Sequence, residues 1–132
     1  MSKSYGNTLP IFAPEKDLRK QVMRIVTDST PPEEPKNPDA DNLFHIFALF
    51  GTPERVEEVR QLYLHGGLAY GNLKQELFET MLTTFQPIRE RFNYLMENKS
   101  EIDAVLNSGA EKARDLGRPV LAKVRKAIGL DK

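Results

Sequence analysis

Residues 70–98 read YGNLKQELFETMLTTFQPIRERFNYLMEN, and this stretch decides the fold class. Its apolar side chains recur every three or four residues, which is the spacing of one face of an α-helix, at Leu73, Leu77, Met81, Phe85, Ile88, Phe92 and Leu95. The pattern predicts one long helix whose apolar face lies in a core. Pro87 is expected to kink it, because proline lacks an N–H and its ring crowds the preceding turn.

A second long helix is predicted from about Ser100 onward, with Glu101 and Asp103 in its first turn. The apolar residues expected to pack inward are Ile102, Leu106, Ala113, Val120, Val124 and Ile128. At about 100° per residue, three arginines project within a narrow sector away from this face, namely Arg114, Arg118 and Arg125. A kink at Pro119 would rotate Arg125 away from the other two.

Shorter helices precede these two. A helix is predicted from Glu15 to about Val26, because Pro14 and Glu15 suit a first turn. Asp39 or Asp41 can cap a short helix that ends near Gly51. Thr52 can cap the next one, which carries Pro53 in its first turn and reaches the glycine pair at 66–67.

A proline-rich segment at residues 30–42 separates the first helix from the others. Its four prolines, at positions 31, 32, 35 and 38, indicate a stiff linker and a domain boundary. The predicted fold class is therefore all-α, a bundle of about five helices. We expect a loop at residues 1–14, a connecting helix and linker at 15–38, and a helical domain at 39–132.

The composition excludes several kinds of site. The 132 residues include 19 basic and 19 acidic side chains, two histidines and no cysteine. Because these charges balance, the chain has no strongly positive field, and any RNA contact must come from local patches of basic residues. The absence of cysteine removes disulfides and thiolate sites, and two separated histidines do not build a metal centre, so no metal site is predicted. No apolar run suits a bilayer and no signal-peptide pattern opens the chain, which predicts a soluble, cytoplasmic protein without membrane contact.

The chain opens with Met1-Ser2-Lys3-Ser4-Tyr5-Gly6-Asn7, whose residue types suit phosphate chemistry. Attack on the α-phosphate of ATP builds negative charge on the departing pyrophosphate, and the flexible ammonium of Lys3 can follow that charge. Ser2 and Ser4 can donate to phosphate oxygens, and Gly6 allows the loop to close. The alternative is an ordinary polar N-terminal tail.

This opening resembles the Lys-Met-Ser-Lys-Ser (KMSKS) loop of class I aminoacyl-tRNA synthetases, entered at its second residue. Residues 24–30 (RIVTDST) and 66–74 (GGLAYGNLK) are similar, in the same order, to the C-terminal part of bacterial tryptophanyl-tRNA synthetases. The resemblance implies activation of tryptophan by ATP with Mg²⁺ and transfer to tRNA(Trp). It implies that Lys3 is catalytic and that Met1, Ser2, Lys3 and Ser4 contact ATP.

The same resemblance implies that much of the enzyme lies outside this chain. The nucleotide-binding Rossmann domain, the tryptophan pocket and most of a homodimer interface belong to that missing part. The class I His-Ile-Gly-His signature is not at His45-Ile46, because Phe47 and Ala48 follow where glycine is needed, so His45 is predicted to be a surface helix residue. We therefore expect the chain alone to bind no ATP and to be inactive.

In this family the helical region recognises the anticodon arm of the tRNA, which directs attention to the basic residues. Candidate phosphate contacts are Lys16, Lys20 and Arg24 on the first helix, and Arg114, Arg118 and Arg125 on the last. For the first helix the alternative is a solvated face. For the last helix it is a solvated surface or ion pairs with Glu111 and Asp115. Two other functions stay open, namely a freestanding RNA-binding module without catalysis and a helical interaction protein.

Overall fold

The computed structural model describes residues 5–130, which form five α-helices and a short 3₁₀ turn. The helices are α1 (Glu15–Met23), α2 (Asn42–Ala48), α3 (Pro53–His65), α4 (Tyr70–Glu97) and α5 (Lys99–Ala127), and the 3₁₀ turn is Pro38–Ala40. No β-strand occurs within residues 5–130, and the all-α class is confirmed. None of the helices in this range combines the length and apolar character that crossing a bilayer requires.

The caps predicted for α2 and α3 are both present. The Asp41 carboxylate accepts from the Leu43 N–H at 2.7 Å, and the Thr52 hydroxyl accepts from the Arg55 N–H at 3.3 Å. Each satisfies an N–H group that has no partner inside its helix. The sequence thus locates the starts of both helices.

The first helix is shorter than predicted, ending at Met23 instead of about Val26. The N–H groups of Arg24 and Ile25 bond to carbonyls three residues back, which tightens the final turn. The Asp28 carboxylate then accepts from the Thr30 N–H at 2.9 Å. This local side-chain bond offers the backbone an alternative to the helix.

The chain divides into two compact units between Arg89 and Glu90, inside α4. The core of the first unit is formed by Leu18, Val22, Leu43, Phe44, Phe47, Val59, Tyr63, Leu68, Leu73, Leu77, Phe78 and Met81. The first half of the α4 stripe therefore lies in a core, as predicted. The second half does not, since Ile88 is 51 % exposed and Phe92 is also exposed. That part of the prediction is wrong because the core of the first unit ends before Ile88.

The second unit consists of the end of α4 and the whole of α5. No described residue of α5 is buried, and the apolar residues expected to pack inward include the exposed Leu106, Val120, Val124 and Ile128. The prediction that this face packs inward is wrong. Helical periodicity identifies which face is apolar, but it does not show that a neighbouring element covers that face. Both α4 and α5 continue past their internal prolines, and the kinks stay predictions.

The proline-rich segment packs within the first unit. The Lys36 N–H donates to the Tyr63 carbonyl at 2.6 Å, and the Gly67 N–H donates to the Pro32 carbonyl at 2.7 Å. The segment is therefore held against the end of α3, and the units do not divide at residue 38. The functional division into residues 1–14, 15–38 and 39–132 stays a prediction.

Candidate functional site

The residues expected to contact ATP, Met1, Ser2, Lys3 and Ser4, lie outside the described residues. Their roles therefore stay predictions. The described chain begins at Tyr5, which is exposed, and continues through Gly6. Gly6 has φ +65°, a conformation that other residues adopt rarely, so glycine suits a turn directly after the lysine loop.

An open groove of about 790 Å³ lies beside this turn. We call it the N-terminal groove. It lies among the N-terminal loop, the end of α1 and one side of α2, and its lining residues are Tyr5–Leu9, Gln21, Arg24–Val26, Asn42, His45, Ile46 and Leu49. Leu9, Ile25 and Ile46 also pack against the core of the first unit, so the floor of the groove is anchored. Arg24 and His45 are exposed polar residues of its lining.

The segment after α1 is fixed at Asp28. Its Oδ1 accepts from the Thr30 N–H at 2.9 Å and from the Tyr70 hydroxyl at 2.8 Å, and these hydrogen bonds lower the pKa of Asp28. Residues 25–30, which line the groove or follow it directly, are thereby tied to the first turn of α4. The sequence resemblance at residues 24–30 (RIVTDST) marked this stretch, but it did not indicate that the hydrogen bonds of Asp28 hold it in place.

A second tyrosine and aspartate pair supports α2. The Tyr63 hydroxyl donates to Asp41 Oδ2 at 3.0 Å, while Oδ1 of the same carboxylate caps the helix. Burial, with the neighbouring Asp41 charge and hydrogen bond, raises the pKa of Tyr63. Burial, followed by the hydrogen bond to Asp28, raises the pKa of Tyr70. Both hydroxyls therefore stay protonated donors at neutral pH, which suits a structural role.

A buried cation holds the proline-rich segment together. Lys36 is only 7 % exposed, and its Nζ donates to the carbonyls of Pro31, Pro32 and Glu34 at 2.6, 3.4 and 2.9 Å. The ammonium also lies 5.5 Å from the centroid of the Tyr70 ring. Sequence reasoning missed Lys36, because a lysine in a proline-rich stretch gives no periodic signal of burial.

The candidate tRNA contacts are exposed but occur in different units. Lys16 and Lys20 lie on α1 and Arg24 at its C-terminal cap, all in the first unit. The three arginines of α5 belong to the second unit. Arg118 lies 3.9 Å from Asp115, and both side chains are about three-quarters exposed, so this ion pair contributes little. Their role in tRNA binding stays a prediction.

The remaining polar contacts of the first unit are structural. Arg55 binds Glu76 with two hydrogen bonds, 2.7 Å from Nε and 2.8 Å from Nη2, and so joins α3 to α4. His45 is an exposed helix residue with Nε2 3.0 Å from the Asp39 carbonyl, in agreement with its predicted surface position. Among residues 5–130, no group of three or more histidine or carboxylate side chains is placed to hold a metal ion.

The all-α architecture of the described residues and the KMSKS-like sequence of the opening are compatible with the C-terminal part of a class I aminoacyl-tRNA synthetase. Comparison with known proteins identifies the synthetases that the chain resembles. The chain is 43 % identical over 130 residues to the tryptophan–tRNA ligase of Pseudomonas aeruginosa and 44 % identical to that of Fusobacterium nucleatum. Each match covers 98 % of this chain, but only 29 % and 40 % of those two enzymes.

The solved structures give the same result. The tryptophanyl-tRNA synthetase of Campylobacter jejuni, complexed with ADP and tryptophan, matches with a TM-score of 0.91 at 42 % identity. That match covers 98 % of this chain and 41 % of the synthetase. No protein-family model matches. The chain is homologous to a C-terminal segment of the tryptophan–tRNA ligases, and it spans less than half the length of these relatives.

Proposed function

We propose that this chain supplies the lysine loop and the helical tRNA-binding part of a tryptophan–tRNA ligase. The similarity along 98 % of the chain, at 42–44 % identity and with the same fold, is the observation that carries the proposal. The intact enzyme would activate tryptophan with ATP and Mg²⁺ and transfer it to tRNA(Trp). We expect it to act in the cytoplasm as a homodimer, with most of the dimer interface in its nucleotide-binding part and no membrane contact.

The catalytic contribution of this segment is assigned to Lys3. Its ammonium would stabilise the charge that builds on the pyrophosphate in the transition state, while Met1, Ser2 and Ser4 contact ATP. An interaction that strengthens only in the transition state raises kcat more than it lowers KM. The described residues support this role indirectly. Tyr5 and Gly6 directly follow the lysine loop, and the segment that they begin packs against the core of the first unit.

The helical part is proposed to contact the tRNA backbone through exposed cations. A planar guanidinium matches the geometry of a phosphate with two parallel hydrogen bonds, and an arginine on a rigid helix is presented at a fixed position. The cations assigned to this contact are Lys16, Lys20, Arg24, Arg114, Arg118 and Arg125.

The proposal is tested with a hybrid ligase, in which this chain replaces the matched segment of the Campylobacter jejuni synthetase. We expect tryptophan-dependent ATP–pyrophosphate exchange by the hybrid and none by the isolated chain. Lys3→Ala is expected to lower kcat of the hybrid by about 10²–10³-fold with a smaller change in KM. Lys99→Ala, at the start of α5, is the matched control. Exchange by the Lys3→Ala hybrid at the parent rate would contradict the catalytic assignment, and exchange by the isolated chain would contradict its dependence on the missing part.

A further inference from the structure

The apolar face of α5 is uncovered along the helix. Leu106 is 63 % exposed, Leu116 is 80 % exposed and Val120 is 61 % exposed, and no described residue of the helix is buried. Within the second unit, the end of α4 holds the first turn of α5, where Arg91 Nη2 lies 3.5 Å from Glu101 Oε2, but the apolar face stays exposed. Contiguous exposed apolar residues of this kind indicate an interaction surface.

The positions of this face repeat every seven residues. Two series share the spacing and are offset by four residues, with Ile102, Gly109 and Leu116 in the first and Leu106, Ala113 and Val120 in the second. We call these six residues the α5 seam. At 1.5 Å per residue the α5 seam extends over about 27 Å. Two such series form the stripe of a helix that packs lengthwise against another helix.

The order of large and small residues along the α5 seam is self-complementary. When two copies of α5 pack antiparallel, a residue of one series faces a residue of the other series in the second copy. Leu106 then faces Leu116 of the second copy, and Gly109 faces Ala113 of the second copy. The first and last residues of the seam, both β-branched, also face each other. Large residues therefore meet at the two ends, and small residues meet at the centre, where the helices can approach closely.

The charges of α5 favour the antiparallel direction. Its first turn carries Glu101, with Asp103 two residues later, and its last turn carries Arg125 and Lys126. In an antiparallel pair the acidic start of each helix approaches the basic end of the other, and the helix dipoles are also opposed. In a parallel pair, like charges would meet at both ends. One helix thus carries both a surface and its complement, as the symmetric contact of two identical chains requires.

We propose that α5 is a self-association surface, on which a second copy of this chain packs antiparallel through the α5 seam. The inference goes beyond the proposed function and does not depend on it, because it uses only the described face of α5. A nucleic acid backbone does not suit this face, since phosphates are recognised by cations and polar groups. At about 100° per residue, Arg114 and Arg118 lie outside the seam, so pairing leaves them accessible for the proposed tRNA contact.

Sedimentation equilibrium of the full chain, from about 5 to 500 µM, tests whether the pair forms. We expect a concentration-dependent dimer. Leu116→Glu places a charge in the seam and is expected to raise the dimer Kd by about tenfold or more. Ala122→Glu adds the same charge on the opposite, exposed face of α5, and is expected to change the Kd by less than about twofold. Both positions are exposed in the single chain, so circular dichroism should show an unchanged helix content.

A chain that stays monomeric at the highest concentration would overturn the proposal and would leave the face to a different partner. A dimer that Leu116→Glu and Ala122→Glu weaken equally, or not at all, would also overturn it, because the contact would then lie elsewhere.

The chain contains no cysteine, so disulfide trapping of single introduced cysteines tests the direction. Leu106→Cys chains are mixed with ¹⁵N-labelled Leu116→Cys chains, and mass spectrometry distinguishes mixed from unmixed dimers. We expect mixed dimers, because positions 106 of two antiparallel copies are about 15 Å apart along the helices. Ala104→Cys mixed with Ala122→Cys, both on the opposite face, is the matched control and should not be trapped. Trapping of each seam variant mainly with itself would overturn the antiparallel arrangement.

Discussion

Lys36→Met removes the buried cation that holds the proline-rich segment and keeps the aliphatic part of the side chain. In the parent, Nζ is 2.6 Å from the Pro31 carbonyl and 2.9 Å from the Glu34 carbonyl, distances typical of charge-assisted hydrogen bonds. The third contact, to Pro32, is longer at 3.4 Å. Methionine occupies a similar volume and donates to none of these oxygens, so the substitution isolates the contribution of the ammonium.

The loss of stability depends on which of these carbonyls keep another hydrogen-bond donor after the substitution. Pro31 still accepts from the Glu34 N–H at 3.2 Å, and Pro32 still accepts from the Gly67 N–H at 2.7 Å. The Glu34 carbonyl loses its ammonium donor. Because a hydrogen bond to a charged group contributes a net 1.5–3 kcal/mol, and two good ones are lost with partial compensation, we expect the free energy of unfolding to fall by about 2–3 kcal/mol. That corresponds to a melting temperature lower by roughly 10 °C.

Urea and thermal unfolding followed by circular dichroism give the overall change. Amide hydrogen exchange of residues 31–36 and 63–67 then locates it, because the two compact units need not unfold together. Lys20→Met is the matched control, an exposed lysine on α1 whose replacement is expected to change stability by less than about 0.5 kcal/mol. A Lys36→Met chain as stable as the control, with unchanged exchange in the two segments, would refute the argument that this ammonium holds the segment.

Three other features give measurable expectations. Gly66→Ala should lower the free energy of unfolding by about 2 kcal/mol or more, because φ is +85° and the new Cβ would lie 2.2 Å from the Glu33 carbonyl oxygen. Gly71→Ala, on α4 with open space around it, is the control and should not lower the free energy of unfolding in the same urea titration. Hydrogen bonds from Arg55 lower the pKa of Glu76 from 4.5, so its stabilisation exists above that pH and is lost as the pH falls through the lower folded value. Glu76→Gln should therefore be less stable than the parent by about 0.5–1 kcal/mol at pH 7, and this deficit should shrink as the pH falls below 4.5; a deficit that does not change with pH would contradict this. Alanine at all three α5 arginines should weaken tRNA binding by the hybrid ligase and reduce the slope of log K against log salt by about 2–3; an unchanged slope would exclude phosphate contact by Arg114, Arg118 and Arg125.

The parts of the fold that sequence could predict are those fixed by local chemistry. Asp41 and Thr52 are cap residues whose side chains bond to N–H groups two or three positions ahead, so the helix starts follow from short-range geometry. The apolar repeat of α4 predicted a helix and, as far as Met81, its buried face. Neither conclusion requires knowledge of a distant contact.

The parts that sequence did not predict depend on distant contacts or on the partner of a surface. The periodicity of α5 is strong, yet none of its described residues is buried, because burial needs a second surface that the pattern does not contain. The prolines of residues 30–42 suggested a linker, whereas Lys36 and the glycine pair show a segment packed against α3. The candidate site divides in the same way. The KMSKS-like motif indicated Lys3 from the sequence alone, whereas the groove beside Tyr5 could be found only once the positions of α1 and α2 were known.

The contacts of Asp28 and Tyr70 would support the catalytic role proposed for Lys3. A lysine that follows developing charge needs freedom at its own position, but it also needs a base that does not move, since a displacement of about 1 Å in a supporting element can remove much of the rate. The first unit provides such a base, because Asp28 ties the groove segment to α4 and the Lys36 ammonium lies against the ring of the same tyrosine. Weakening either contact should therefore lower kcat of the hybrid ligase. Tyr70→Phe, which removes only the hydroxyl that binds Asp28, tests this most directly, and an unchanged kcat would show that the loop does not depend on that anchor.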